Sequence, residues 1–332
     1  MQYTHAGLAV AALLLVASCG GQGPTGEPDD GAILFSSSRD GDFEIYVMDA
    51  DGGAVRQLTH NASRGANEAD DYEPSWSPDG NRVAFVSTRD REGDGFESLE
   101  IYVMRADGSG ETRLTSTQDG EADPGWSPDG ESLLFARRRA PNEDEFELAL
   151  MRPDGTGLRQ LLAIDGYGSG VFSPDGTRLA FSRCGPEDDE SDCEIWVAES
   201  GGSRARKLVD SDGWDAGPAW SPDGRRIAFV SDRDRNGDCF FHDCSGHNGE
   251  IYVMNADGSE QRRLTDDPGD DGSPTWSPDG TRIAFAGLRN VEGAVDGPGE
   301  NYEIYVMNAD GSDLRPLTDN TAWDWQPDWS GS

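Results

Sequence analysis

The residues best equipped for chemistry in this sequence are carboxylates. The clearest run is DRDRNGDCFFHD, from Asp232 to Asp243. Asp232, Asp234, Asn236 and Asp238 set oxygen ligands at alternate positions around Gly237, the spacing with which a loop wraps Ca²⁺. The last position is Asp243 rather than a glutamate, and the flanks do not read as helices. No cofactor is demanded by the sequence, and Ca²⁺ is the one candidate. Other carboxylates sit beside aromatic rings: Asp70, Asp71 and Tyr72 in ADDYEP, Tyr167 in DGYGSG, Trp214 and Asp215 in SDGWDAGP, Trp323 and Asp324 in NTAWDWQP. Aromatic anchors among charged groups make a recognition surface for a protein or peptide, and these eight residues are the expected partner-binding set. The rival role for each ring is to cap a core.

Signals for catalysis are poor. There is no G-x-S-x-G nucleophile elbow. The four histidines, His5, His60, His242 and His247, form no three-ligand metal set. Asp and Glu number 64 against 27 Lys and Arg, a formal net charge of −37. Such a field repels nucleic acid and anionic membrane and attracts cations or basic partners. A non-enzymatic binding module is the expectation. The alternatives are a calcium-binding structural protein and a sugar-active lyase or hydrolase.

Five cysteines bear on the compartment. AGLAVAALLLVASCGG (Ala6–Gly21) is an apolar stretch too short to span a bilayer, and it ends in VASC. This resembles the lipobox of bacterial lipoproteins. The resemblance implies a signal peptide over 1–18, a lipidated Cys19 and a flexible tether over 19–30, with membrane contact through the lipid alone. The other four cysteines fall in two close pairs, Cys184 with Cys193 and Cys239 with Cys244, which suits local disulfides in an oxidising envelope compartment.

What positions the carboxylates is a repeat. WSPDG occurs at Trp76, Trp126, Trp220 and Trp276, FSPDG at Phe172, and DWSGS at Asp328–Ser332. Between these words lies a second: EIYVMDADG at Glu44, EIYVMRADG at Glu100, ELALMRPDG at Glu147, EIWVAESGG at Glu194 and EIYVMNADG at Glu250 and Glu303. A period of about 50 residues with four strands per unit marks a β-propeller. S-P-D-G is a tight-turn sequence, and the glycine of A-D-G suits a hairpin. Runs such as IAFV and EIYVM are apolar on both faces, as in a sheet sandwiched between neighbours. The recurring tryptophan reads as packing between sheets. Arg39, Arg89, Arg183 and Arg233 recur with Glu44, Glu100, Glu194 and Glu250, which predicts a structural Arg–Glu pair inside each blade.

These words together resemble the repeat of TolB-type propellers, over Ala32–Ser330. TolB is the periplasmic propeller protein of the Tol–Pal system. The resemblance implies an all-β, six-bladed propeller over 31–332, closed by pairing of the C-terminal strand with the N-terminal ones, and a habit of binding proteins. In such a ring the d–a and b–c loops share one face, and the acidic segments fall there, at the expected mouth of a central channel. The expected protein is a monomer of the bacterial envelope whose acidic loop face takes a basic protein or peptide.

Overall fold

The computed structural model describes residues 31–61, 69–89, 99–117, 120–139, 145–165, 168–185, 193–211, 213–234, 248–288 and 301–331. Cys19 with the 1–18 and 19–30 segments, Tyr167, Asn236, Asp238, Cys239 and Cys244 lie outside the described residues.

Six four-stranded antiparallel sheets make up the described chain, as the repeat predicts. Blade 2 is typical. Its inner strand a (Asp71–Trp76) turns through Ser77–Gly80 into strand b (Arg82–Ser87), followed by strand c (Glu100–Arg105) and a short strand d (Thr112–Arg113). Blades 3 to 6 start their inner strands at Glu121, Gly170, Asp215 and Asp271. Blade 1 draws on both chain ends: strand b (Ala32–Ser37) pairs on one side with Glu44–Asp49 and on the other with Asp324–Trp329. Ile33 lies opposite Trp329 and Leu34 opposite Asp328, so the ring is closed by hydrogen bonds between distant parts of the sequence.

Local chemistry explains each turn. The Ser77 hydroxyl donates to Asp79 Oδ1 at 2.6 Å, Gly80 N–H closes the turn onto Ser77 O at 2.8 Å, and Gly80 has a φ of 65°. In the c–d hairpin, a Cβ on Gly108 would stand 2.5 Å from Leu58 O of the preceding blade, so glycine is needed there for fit as well as for its φ of 86°.

There is no single core. Six apolar clusters each lie between two neighbouring blades. Between blades 1 and 2, Leu34, Ile45 and Val47 meet Val83, Phe85, Tyr102 and Met104. Ile33, Leu34 and Phe35 are all fully buried, so strand b packs on both faces and shows no alternation.

The repeated tryptophans lock these seams. Arg82, Arg178, Arg226 and Arg282, each opening a strand b, stack on Trp126, Trp220, Trp276 and Trp329 of the next blade at 4.4 to 4.9 Å from the ring centre. Arg226 Nη2 also donates to Gly280 O at 3.2 Å, and Trp276 Nε1 donates back to Ala219 O at 3.1 Å. Trp276→Ala should therefore cost about 3–5 kcal/mol and Arg226→Ala about 1–2 kcal/mol. In a denaturant double-mutant cycle the two should couple by about 1 kcal/mol, because each removes the same cross-blade contact. Strict additivity would show that the stacking contributes nothing.

Candidate partner-binding face and central channel

The b–c loops and the d–a loops meet at one face. In blades 1, 2 and 5 the end of the b–c loop is tied to the start of the next blade's inner strand. Asp71 N donates to Phe43 O at 2.7 Å, Glu121 N to Leu99 O at 3.0 Å, and Asp271 N to Gly249 O at 2.8 Å. Side chains reinforce the joint: Asp70 Oδ1 accepts from Phe43 N and Asp270 Oδ1 from Gly249 N, at 2.9 and 2.6 Å. The loops thus spring from fixed ends.

This architecture redistributes the expected partner-binding residues. Asp71, Asp215 and Asp324 are wholly buried, and each accepts from an arginine of its own blade: Arg89 at 2.7 Å, Arg233 at 2.8 Å and Arg39 at 2.7 Å. They offer no carboxylate to a partner in this conformation. The cause is a clamp written as Ser-x-Arg. Arg89 Nε donates to Ser87 Oγ at 2.9 Å, its guanidinium lies over the Phe85 and Tyr102 rings at 5.4 and 4.9 Å, and its Nη2 reaches Asp71. Arg39 and Arg233 repeat the arrangement. The expected Arg–Glu pairing is corrected accordingly. These arginines clamp strand-a aspartates, while Glu100 and Glu250 take Arg113 and Arg263 of strand d and Glu44 takes Thr59. Arg183 lies over the Trp196 ring, and Glu194 pairs with Lys207.

Of the aromatic candidates, Tyr72 is half-buried against Phe43, with ring centres 5.1 Å apart. Trp323 is half-buried against Tyr302 at 5.8 Å, and its backbone N–H donates to Ser38 Oγ. Both behave as caps on seams. Trp214, 37% exposed, is the one exposed large aromatic among the described residues. In the candidate calcium loop, Asp232 Oδ1 accepts from Trp214 N at 2.6 Å, while Asp234 Oδ2 accepts from Tyr252 and, at 3.2 Å, from Arg263. Cys184 and Cys193 face each other in register across strands b and c of blade 4 and are joined by a disulfide.

The channel holds residues that sequence reasoning passed over. A cavity of about 580 Å³ runs along the inner strands toward the SPDG turns, and Pro174, Pro222 and Pro278 of those turns help to line it. None of the acids expected at its mouth lines it. The third residue of each full inner strand does: Glu73, Asp123, Gly217, Ser273 and Gln326, each with φ between 52° and 60° and each followed by proline. A left-handed, non-glycine residue costs about 1–2 kcal/mol, and here it forms a bulge where strand pairing skips. The side chains offset part of that cost by bonding the next blade. Gln326 Oε1 accepts from Glu73 N at 3.0 Å, Glu73 Oε2 from Asp123 N at 2.6 Å, and Asp328 Oδ2 from Trp76 N at 2.7 Å. Burial, and then the charge of Asp123, raises the Glu73 carboxyl well above the usual range, and burial pushes Asp328 up to about 7. The visible signal was a one-off polar letter before an invariant-looking proline in DYEPSW, EADPGW and DWQPDW.

A carboxyl whose folded pKa is raised favours folding below its unfolded pKa, and that advantage fades as pH rises through the folded value. Asp328→Asn, which keeps an acceptor for Trp76 N–H, should leave the Tm unchanged near pH 4. It should raise the Tm by a few degrees by pH 8 (about 1–2 kcal/mol). A pH-independent difference in thermal melts would place Asp328 in an ordinary solvated setting.

Comparison with known proteins follows the same lines. The TolB beta propeller domain family matches residues 15–165. A TolB homolog of Chlorobium luteolum is 32% identical over 283 residues, covering 74% of this chain and 59% of that protein. An uncharacterized peptidase of Bacillus subtilis, YuxL, is 36% identical over 114 residues, which is 34% of this chain and 16% of YuxL. The chain thus spans less than two thirds of the length of these curated relatives. Among solved structures, TolB from Acinetobacter baumannii superposes with a TM-score of 0.70 at 21% identity, covering 92% of this chain and 68% of that one. By repeat, closure and likeness, the chain is a TolB-like six-bladed β-propeller.

Proposed function

We propose that this propeller is an envelope-anchored binding module, held to the membrane by lipid on Cys19, whose acidic loop face takes basic segments of partner proteins. One observation carries the reading. Arginine clamps inside the blades hold the loop ends in place, and so the exposed loop carboxylates Asp40, Asp210, Asp266 and Asp319 and the exposed Trp214 are presented on a fixed frame. Preorganised loops lose little entropy on binding, and an exposed indole beside carboxylates suits a lysine- or arginine-bearing segment, by ring stacking as well as by charge. The likeness to TolB proteins supports a protein partner over a small molecule. The absence of a nucleophile elbow or a three-histidine set from the sequence favours binding over catalysis.

A lysine-rich peptide labelled with a fluorophore supplies the test. Its affinity should fall by roughly tenfold or more between about 50 and 500 mM salt, as the Debye length shrinks. Trp214→Ala should weaken it by about tenfold, the scale of a central aromatic contact. An acidic peptide of equal length should not bind. Salt-independent binding, or equal binding of both peptides, would overturn the proposal.

A further inference from the structure

Buried carboxyl groups meet across three consecutive seams, always in the same way. The glutamate that opens or nearly opens strand c of one blade faces the acid that opens strand a of the next. Glu303 faces Asp324 between blades 6 and 1, Glu44 faces Asp71 between blades 1 and 2, and Glu100 faces Glu121 between blades 2 and 3. All six are buried, with at most 4% exposure.

At two of these three seams the hydrogen bonds leave buried carboxyl oxygens without a donor. Thr59 Oγ1 accepts from Ile45 N and gives its only proton to Glu44 Oε2. Asn61 N serves the other Glu44 oxygen, and Arg89 serves Asp71 Oδ2. Asp71 Oδ1 stays buried and receives no hydrogen bond. At the next seam Thr117 Oγ1 donates to Glu121 Oε1 at 2.6 Å and Thr117 N to Glu100 Oε1 at 3.1 Å, while Glu100 Oε2 and Glu121 Oε2 receive none. The closure seam has no such shortage: the two N–H groups of Asn320 Nδ2 serve Glu303 Oε2 and Asp324 Oδ2, at 3.3 and 2.7 Å, and Arg39 donates to both Asp324 oxygens. Buried acceptors left without a donor beside a second carboxyl group are costly, unless one of the two groups carries a proton and becomes a donor.

We propose that the seams between blades 1 and 2 and between blades 2 and 3 are each held by a proton shared between the two facing carboxyl groups, which makes the arc from blade 1 to blade 3 an alkali-sensitive joint. The surrounding charges agree. Glu44 is faced by Asp71 from the next blade and by Asp40 and Asp42 from its own loop, whose oxygens lie within 4.8 Å of its own; Arg89 is engaged with Asp71. Glu303 is faced by Asp324, whose cation is Arg39. Glu121 is faced by Glu100, with Arg137 nearby and Arg113 bound to Glu100. Burial first, and the facing acid after it, push Glu44 up to about 8 and Glu121 and Glu303 up to about 7. The sign follows: the pairs support folding at low pH, and that support is lost as pH rises through 7 to 8.

The test compares wild type with a Glu44→Gln, Glu121→Gln double variant, in which each amide N–H replaces the shared proton. The Tm of wild type should fall by roughly 5 °C or more between about pH 6 and pH 9, and the double variant should lose a large part of that fall, the remainder belonging to Glu73, Glu303 and Asp328. If the variant folds poorly, hydrogen exchange on wild type decides. In exchange-detected NMR, the seam amides of Asn61 and Thr117 should lose protection above about pH 7.5 faster than the amide of Ile227, which lies in a seam outside this arc. Equal pH slopes for the two proteins, or uniform loss of protection, would overturn the proposal. So would a divalent cation that restores the Tm at pH 9, since a metal ion and not a proton would then fill the seams.

Discussion

The whole structure depends on contacts between blades. A four-stranded sheet buries nothing by itself, and here every apolar cluster takes its members from two sheets. Hydrogen bonds within a blade fix its shape, but only the seams remove apolar surface from water. At about 25 cal/mol per Å², burying side chains such as Phe85, Phe229 or Phe285 on both sides of each blade is the main favourable term. The arginine–tryptophan contacts add direction to a force that has none. Each stacks a cation opening strand b on the ring ending the next strand a, and so fixes how far one blade is rotated against its neighbour. A closed ring tolerates no accumulated error in that angle. That accounts for the recurrence of the contact at four seams in almost the same geometry.

Charge is handled differently at the two ends of the blades. On the turn side, aspartates such as Asp79 are exposed and satisfied by their own turn. On the loop side, acids are driven into the seams, where an unpaired carboxylate would cost several kcal/mol. The Ser-x-Arg clamp solves this for Asp71, Asp215 and Asp324, with the guanidinium itself sandwiched over Phe and Tyr. Removing a clamp arginine would leave a buried charge, a far larger loss than the pair contributes when intact. The clamps therefore fix blade geometry more than they add stability.

The period of WSPDG, and the apolar character of IAFV and EIYVM on both faces, were enough to read the ring, its blade count and its closure. Both signals come from physics local to one unit, and six copies reinforce them. The site was less legible. Asp71, Asp215 and Asp324 looked like partner-binding acids because they sit beside aromatic letters, yet they recur at one place in the repeat, and recurrence marks a structural role. The same reasoning identified Arg39, Arg89 and Arg233 as structural, but linear order suggested Glu44, Glu100 and Glu250 as their partners. The true partners lie on strand a, far away in sequence for Arg39 and Asp324 and brought close only by ring closure. Glu73, Asp123 and Gln326 went unnoticed for the opposite reason: they break the repeat at a position whose direction, into the channel, is set by a bulge that no strand pattern announces.

Clamped loop ends also explain how one face can vary while the ring stays constant. In blade 1 the b–c connection runs only from Ser37 to Glu44, whereas in blade 5 it runs from Ser231 to Glu250, yet both deliver the chain to the same register of strand c. Phe43 and Gly249 reach the next blade through the same pair of contacts, a backbone bond to the first residue of strand a and a side-chain bond from the acid before it. Between the clamp arginine and those anchors the connection can change in length, because loop length adds little entropy cost once its ends are held. The acidic character of these segments is therefore not imposed by the propeller. Had solubility alone been at work, the turn side would serve equally well, yet there the Ser-Pro-Asp-Gly and Ala-Asp-Gly words hold the chain to a fixed composition. Freedom to change is confined to one face, and that is the face on which a recognition surface can be built without disturbing the seams.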